Sequence, residues 1–192
     1  MIAEGAIPRR VIVAISGASG VIYGIRLLKH LKRTNLETHL VISEAGRKNI
    51  YIETDRSPEE IEKLADKIYD HHDVGAAIAS GSFLTEGMVI APCTIKTLSG
   101  IVNSYNDNLI VRAADVTLKE KRKLILMVRE TPLHKGHLRL MRDAADNGAD
   151  ILPPMPAFYH KPKTIEDIID QTIGKTFDLL GIEHELFQRW GE

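Results

Sequence analysis

The sequence has one cysteine in 192 residues, so it cannot carry an internal disulfide framework. A lone thiol, Cys93, fits a reducing compartment, and the cytoplasm is the expected location. Neither sign of charge is in excess: 25 Lys and Arg against 26 Asp and Glu leave a net charge of -1. That balance excludes a nucleic-acid binder that relies on a basic surface. No segment approaches the roughly 20 consecutive apolar residues of a membrane helix. The opening MIAEGAIPRR lacks the apolar stretch of a signal peptide. The dinucleotide fingerprint G-x-G-x-x-G is missing too. What remains is a chain that is 44% hydrophobic, without repeats or a linker, and long enough for one sizeable core.

Within that chain, uniformly apolar runs alternate with helical periodicity. Val11–Ile15 carries no alternating polar residues, as a strand buried on both faces does, and ETHLVIS (37–43), GMVIAPC (87–93) and KLILMV (123–128) read as further strands. Pro92 is expected to break the third of these, and ADILPP forms a short last strand halted by Pro153 and Pro154. Between them, Val21, Ile25, Leu28 and Leu31 share one helix face, and EAGRKNIYIE continues as helix. SPEEIEKLA carries a capping box on Ser57 and Glu60, with Pro58 at the first helical position. Helices are also expected over 107–122, over HKGHLRLMRDAADNG with Gly148 as its cap, and over TIEDIIDQTIGKTFDLLG. The pattern predicts a single α/β domain, a doubly wound, Rossmann-like, mostly parallel sheet with helices on both faces. Ligands of such sheets bind beyond the carboxyl ends of the strands, so residues that follow strands are the candidates.

The first is SGASG (16–20), whose glycines and hydroxyls at a helix start suit a phosphate. A tight packing turn of small residues would read the same, and the motif does not separate NAD, FMN and a sugar phosphate. APCTIKTLSG offers Thr94, Lys96 and Thr97 at a helix start, suited to a phosphate or a flavin edge, or else merely a capped helix with a solvated lysine. Cys93 has no base beside it and reads as a small buried residue. Arg129 and Glu130, directly beyond a strand, form either an edge salt bridge or a substrate clamp. His134 and His137 would share a helix face but lack a third metal ligand, and His71–His72 reads as solvated. PPMPAFYHKP is a stiff loop, suited to a substrate lid or an ordinary surface connection. Trp190, the one tryptophan, is expected to pack on a ligand or a partner subunit.

Taken in order, SGASG, ETHLVIS, ASGSF, GMVIAPCTIKTLSGI, DNLIVRAADVTLKEKR, VRETPLHKGHL, PPMPAFYHKP and the final RW strongly resemble the bacterial flavin prenyltransferases. These include the UbiX proteins and the B-type components of phenolic acid decarboxylases. The likeness runs from about Val11 to Trp190, and RAADV-x-LKE with RE-x-PL is far more specific than any glycine pattern. It implies one flavoprotein domain over 1–192, with an N-terminal extension to about residue 9 and a tail over about 182–192 that reaches a neighbouring subunit.

The implied reaction joins a dimethylallyl group from dimethylallyl phosphate to N5 of reduced FMN and closes a ring at C6, without a metal. Its product, prenylated FMN, serves a UbiD-type decarboxylase, in ubiquinone synthesis or in the breakdown of phenolic acids. The resemblance assigns FMN to Gly17, Ala18, Ser19, Ser43, Thr94, Ile95, Lys96, Thr97 and Arg129. It assigns the prenyl phosphate to Lys119, Arg129, Tyr159 and Lys175, with Arg112, Glu130 and Trp190 completing that side. Ser19, Glu53 and Glu130 fall where protons must move. It further implies a homododecamer whose sites are shared between subunits, with no nucleic acid or membrane involved. Glu44 departs from the lysine that follows the serine in many relatives. The competing readings are an FMN-dependent cysteine-type decarboxylase and a non-catalytic flavin carrier. The first expects a PASANT-like stretch in place of APCTIKT and a histidine where the chain has SGSFLTEG. The second has no use for another phosphate clamp.

Overall fold

The computed structural model describes residues 9–189 and 191. The chain alternates β1 (Arg10–Ile15), α1 (Val21–Leu31), β2 (Glu37–Ile42), α2 (Glu44–Glu53), α3 (Pro58–Glu62) and β3 (Lys67–Tyr69). A 3-10 turn at Ala77–Ala79 follows, then β4 (Gly87–Cys93), α4 (Ile95–Val102), α5 (Leu109–Lys119), β5 (Lys123–Val128), α6 (Lys135–Asp146), β6 (Asp150–Ile151) and α7 (Ile165–Leu180). The six strands form one parallel sheet in the order β3-β2-β1-β4-β5-β6. This is the doubly wound order, and its reversal between β1 and β4 opens a crevice at their carboxyl ends.

Side chains alternate between two cores, as the period of a strand requires. Val11, Val13, Ile15, Val89 and Ala91 face α1 and α7, with Ile25, Leu28 and Ile173 above them. Ile12, Ala14, Met88 and Ile90 face α4, α5 and α6, with Leu98, Ala113 and Ala144.

The helix ends follow the sequence signals. Ser57 and Glu60 form the expected capping box, and a second one joins Thr164 to Asp167 at the start of α7. Gly148, at φ +99°, ends α6. One strand lies outside the expectations, and two expectations need correction. The strand β3 (KIY) is too short and too exposed to carry a buried-strand signal. Pro92 does not break β4; the strand runs through it with a register shift between Ile90 and Cys93, which spares the missing N–H a place in the ladder. The helix expected over 107–122 is shorter, because Asn108 caps its start and the chain turns at Lys121, at φ 56°.

Candidate functional site

A cavity of about 810 Å³ lies at the carboxyl edge of the sheet, between the ends of β1, β2 and β4 and the starts of α2, α4 and α5. Ser16, the last residue before the glycine turn, braces it. Its hydroxyl donates to the Pro92 carbonyl (2.8 Å) and accepts from the Thr94 N–H (2.9 Å), while its own N–H donates to the same carbonyl (3.2 Å). Gly17 is required by close approach: a Cβ there would sit 2.3 Å from that of Ala45 on α2. Ser43 caps α2 by accepting from the Gly46 N–H (3.0 Å), and Thr94 caps α4 by accepting from the Thr97 N–H (3.0 Å). Two helix starts with hydroxyls thus converge on one cavity, joined by the exposed Lys96, 4.0 Å from Asp107. Partial positive charge, hydroxyl donors and one ammonium make an anion site of phosphate character.

The glycine turn contributes differently from its expected part. The N–H groups of Gly20 and Val21, at the start of α1, donate to Oε2 of Glu53 (2.8 and 3.0 Å). The chain's own carboxylate therefore fills the helix start that the sequence offered to a phosphate, and the available starts are those of α2 and α4. Glu53 is brought next to the exposed Ser19 by this contact. Asn49 holds the turn by donating to the carbonyls of Gly17 (2.9 Å) and Ala18 (3.2 Å). The Ala18 side chain is buried, which leaves only its backbone for any outside contact.

Of the residues assigned to FMN, Gly17, Ser43, Thr94, Lys96 and Thr97 line the cavity together. Ile95 does not; its side chain packs on the core and lines a cleft between α4 and α6. Arg129 and Glu130 stand exposed beyond β5, the first tied by its N–H to the Cys93 carbonyl (3.1 Å). Glu130 accepts from the Thr131 N–H (3.0 Å), and no ion pair joins it to Arg129 among the described residues.

The sequence reads His71 and His72 as solvated and gives no sign that they belong to the site. Both line the cavity, His71 half-buried and His72 exposed with Nε2 3.1 Å from Oε1 of Glu44. Burial pushes the His71 imidazole below its usual range, with the neighbouring His72 and Lys96 acting in the same direction. The hydrogen bond from His72 holds Glu44 below the usual carboxylate range. Recognising β3 would have found the pair, since it places them just past a strand end.

The residues assigned to the prenyl phosphate do not meet within one chain. Tyr159 and Lys175 line a second cavity, of about 680 Å³, along α7. Arg112 pairs with Asp115 on α5 (3.7 Å). Lys119 pairs with Glu120 at the far end of that helix, about 16 Å from its start at 1.5 Å per residue, by the amino edge of the sheet. Trp190 lies outside the described residues.

His134 caps α6 through its ring, and its centroid is 3.5 Å from that of His137. No group of three or more metal-ligating side chains occurs among the described residues. Burial pushes the Cys93 thiol up to about 12, so it is inert as a nucleophile. No helix among the described residues is long and apolar enough to cross a membrane.

Residues 5–179 match the family model described as Flavoprotein. The chain is 58% identical over 181 residues to the flavin prenyltransferase UbiX of Thauera aromatica, covering 94% of this chain and 93% of that one. The crystal structure of AnUbiX (PadA1) in complex with FMN and dimethylallyl pyrophosphate is similar at a TM-score of 0.95. Its identity is 46%, over 97% of this chain and 99% of that one. A dodecameric FMN-dependent UbiX-like decarboxylase from Escherichia coli O157:H7 gives a TM-score of 0.93 at 43% identity, over 95% and 100%.

Proposed function

The chain belongs to the flavin prenyltransferases of the Flavoprotein family, and on that premise we propose that it transfers a dimethylallyl group from dimethylallyl phosphate to reduced FMN, yielding prenylated FMN. The observation that carries the reading is the convergence of the Ser43 and Thr94 helix caps on one cavity with Lys96. The donor set fits a mononucleotide: N–H groups and hydroxyls for a phosphate and a ribityl chain, with Gly17 keeping the wall flat. Bound there, the reduced flavin supplies the nucleophilic N5 and C6 positions.

The chain's own residues divide the remaining work. Ser43, Thr94, Lys96 and Thr97 hold the phosphate end of FMN through side chains, and Gly17, Ala18, Ser19 and Ile95 contribute backbone. Arg129 serves both the flavin and the donor. The phosphate that leaves the prenyl group gathers negative charge, which Arg112, Lys119, Arg129 and Lys175 stabilise from fixed positions, with Tyr159 donating a hydrogen bond. Ser19, Glu53 and Glu130 stand where protons move, and the two carboxylates take them. One oxygen of each already accepts backbone N–H groups, which leaves Oε1 of Glu53 and Oε2 of Glu130 to take a proton.

Since Arg112, Lys119 and the α7 cavity lie apart on one chain, neighbouring copies complete each site, and the likeness to a dodecameric structure supports this arrangement. The product leaves for a UbiD-type decarboxylase in the cytoplasm. The test is anaerobic incubation with reduced FMN and dimethylallyl phosphate, followed by mass spectrometry. A flavin heavier by one C5H8 unit is expected. Tight FMN binding with no adduct from any prenyl donor would instead identify a flavin carrier.

A further inference from the structure

The cavity along α7 is lined by Tyr159, His160, Lys161, Gln171, Lys175 and Arg189, among others. Three of these carry fixed positive charge. What orders two of them is a single carboxylate below. Asp178 accepts from Arg189 (2.7 Å), from His184 Nε2 (3.1 Å) and from Lys175 (3.3 Å). The Lys175 ammonium and the Arg189 guanidinium also lie 5.8 and 5.7 Å from the centroid of the Phe187 ring, within cation–π range.

The tail that brings Arg189 back to the helix is fitted to it. A Cβ on Gly174 would come within 2.5–2.8 Å of ring atoms of Phe187 and His184, so only glycine lets the tail lie flat on α7. His184 accepts the Leu186 N–H on Nδ1 (3.2 Å), which leaves Nε2 as its donor to Asp178. Partial burial opposes the charge on Asp178, but the hydrogen bonds from Arg189, His184 and Lys175 outweigh it and hold the carboxyl at about 2.

We infer that Asp178 is a positioning residue that presents Lys175 and Arg189 as a pair of cations to the phosphate of the prenyl donor, and that Arg189 is itself a donor-binding residue. This rests on the prenyl-transfer reading and adds residues that reading does not use. Lysine and arginine side chains have many rotamers, and fixing them on binding costs affinity. A shared carboxylate settles that cost during folding. Lys161, Lys175 and Arg189 gather three cationic side chains on one cavity, which suits the negative charge of a phosphate monoester near neutral pH.

The inference has a sign that simple electrostatics lacks. If Asp178 only repelled the phosphate, D178N would tighten donor binding. If it positions the cations, D178N weakens it. The experiment uses the full-length enzyme and its R189A, R189K and D178N variants. Anaerobic prenyl transfer is followed with dimethylallyl monophosphate varied at saturating reduced FMN, and the FMN Kd is measured separately by fluorescence quenching. R189A is expected to raise the donor KM about 10- to 100-fold, the size of a lost charge-assisted hydrogen bond, with the FMN Kd unchanged. R189K recovers part of the loss, and D178N raises the donor KM several-fold. A normal donor KM in R189A, or a lowered one in D178N, overturns the inference. If R189A fails to fold, R189K and D178N decide it alone. A wild-type enzyme that makes no adduct would defeat the prenyl-transfer reading itself, a result distinct from an active enzyme indifferent to Arg189.

Discussion

At the carboxyl edge, the cavity proposed for the flavin takes its shape from backbone: strand ends braced by Ser16, a glycine against which α2 packs, and two helix caps. The cavity along α7 takes its shape from side chains, gathered by Asp178 and a tail laid over Gly174. The first is as rigid as the sheet that carries it. The second hangs on a few ion pairs at the end of the chain. Such a division suits a reaction in which one partner is a large, tightly held mononucleotide and the other a small phosphate ester.

The comparison can be broken one region at a time. The largest effect is expected from Glu130→Gln, which keeps the bond to Thr131 and removes only the basic oxygen. Turnover should fall by about 10²-fold or more, the usual worth of a positioned general base, while FMN binds as before. Loss of flavin binding instead would move Glu130 to the other region. Next comes Ser16→Ala, which leaves the Thr94 N–H and the Pro92 carbonyl one partner short in a buried site. A cost of about 1–3 kcal/mol in denaturant unfolding should accompany weaker FMN binding, with the α7 tail undisturbed.

The smallest effect is local and depends on acid. Asp178 is depressed to about 2 from an ordinary value of 3.8, so its contribution is complete above about pH 4 and is lost as pH falls through about 2. Hydrogen exchange should show residues 182–189 loosening over that window before the strands do. Simultaneous loss of both would mean that the tail is part of the main cooperative unit.

Legibility in the sequence divides along the same line. The buried strands, the capping box at Ser57 and the helix start after Thr94 depend on neighbours a few residues away, and the sequence displays them directly. Glu53 is different. Its partners are the N–H groups of Gly20 and Val21, 33 and 32 residues back, so nothing local marks it as the anion of the glycine turn. His71 and His72 read as merely solvated because a three-residue exposed strand has no hydrophobic signature, and without it their loop looks like solvent-facing chain. The Asp178 cluster joins a helix to a tail across a turn, and nothing in the local sequence marks that meeting.

The carboxylate of Glu53 at the first helix has a consequence for what this fold can become. Sheets of the 3-2-1-4-5-6 order have this position free to receive the pyrophosphate of a dinucleotide. Here the protein brings its own negative charge to it, a built-in competitor held at 2.8 and 3.0 Å. A dinucleotide would have to evict that carboxylate and meet its repulsion, whereas a mononucleotide whose phosphate sits on the neighbouring helix starts keeps that phosphate clear of it. Selection against the larger cofactor therefore needs no steric wall, and a redesign toward NAD would have to begin at residue 53 before any glycine was added.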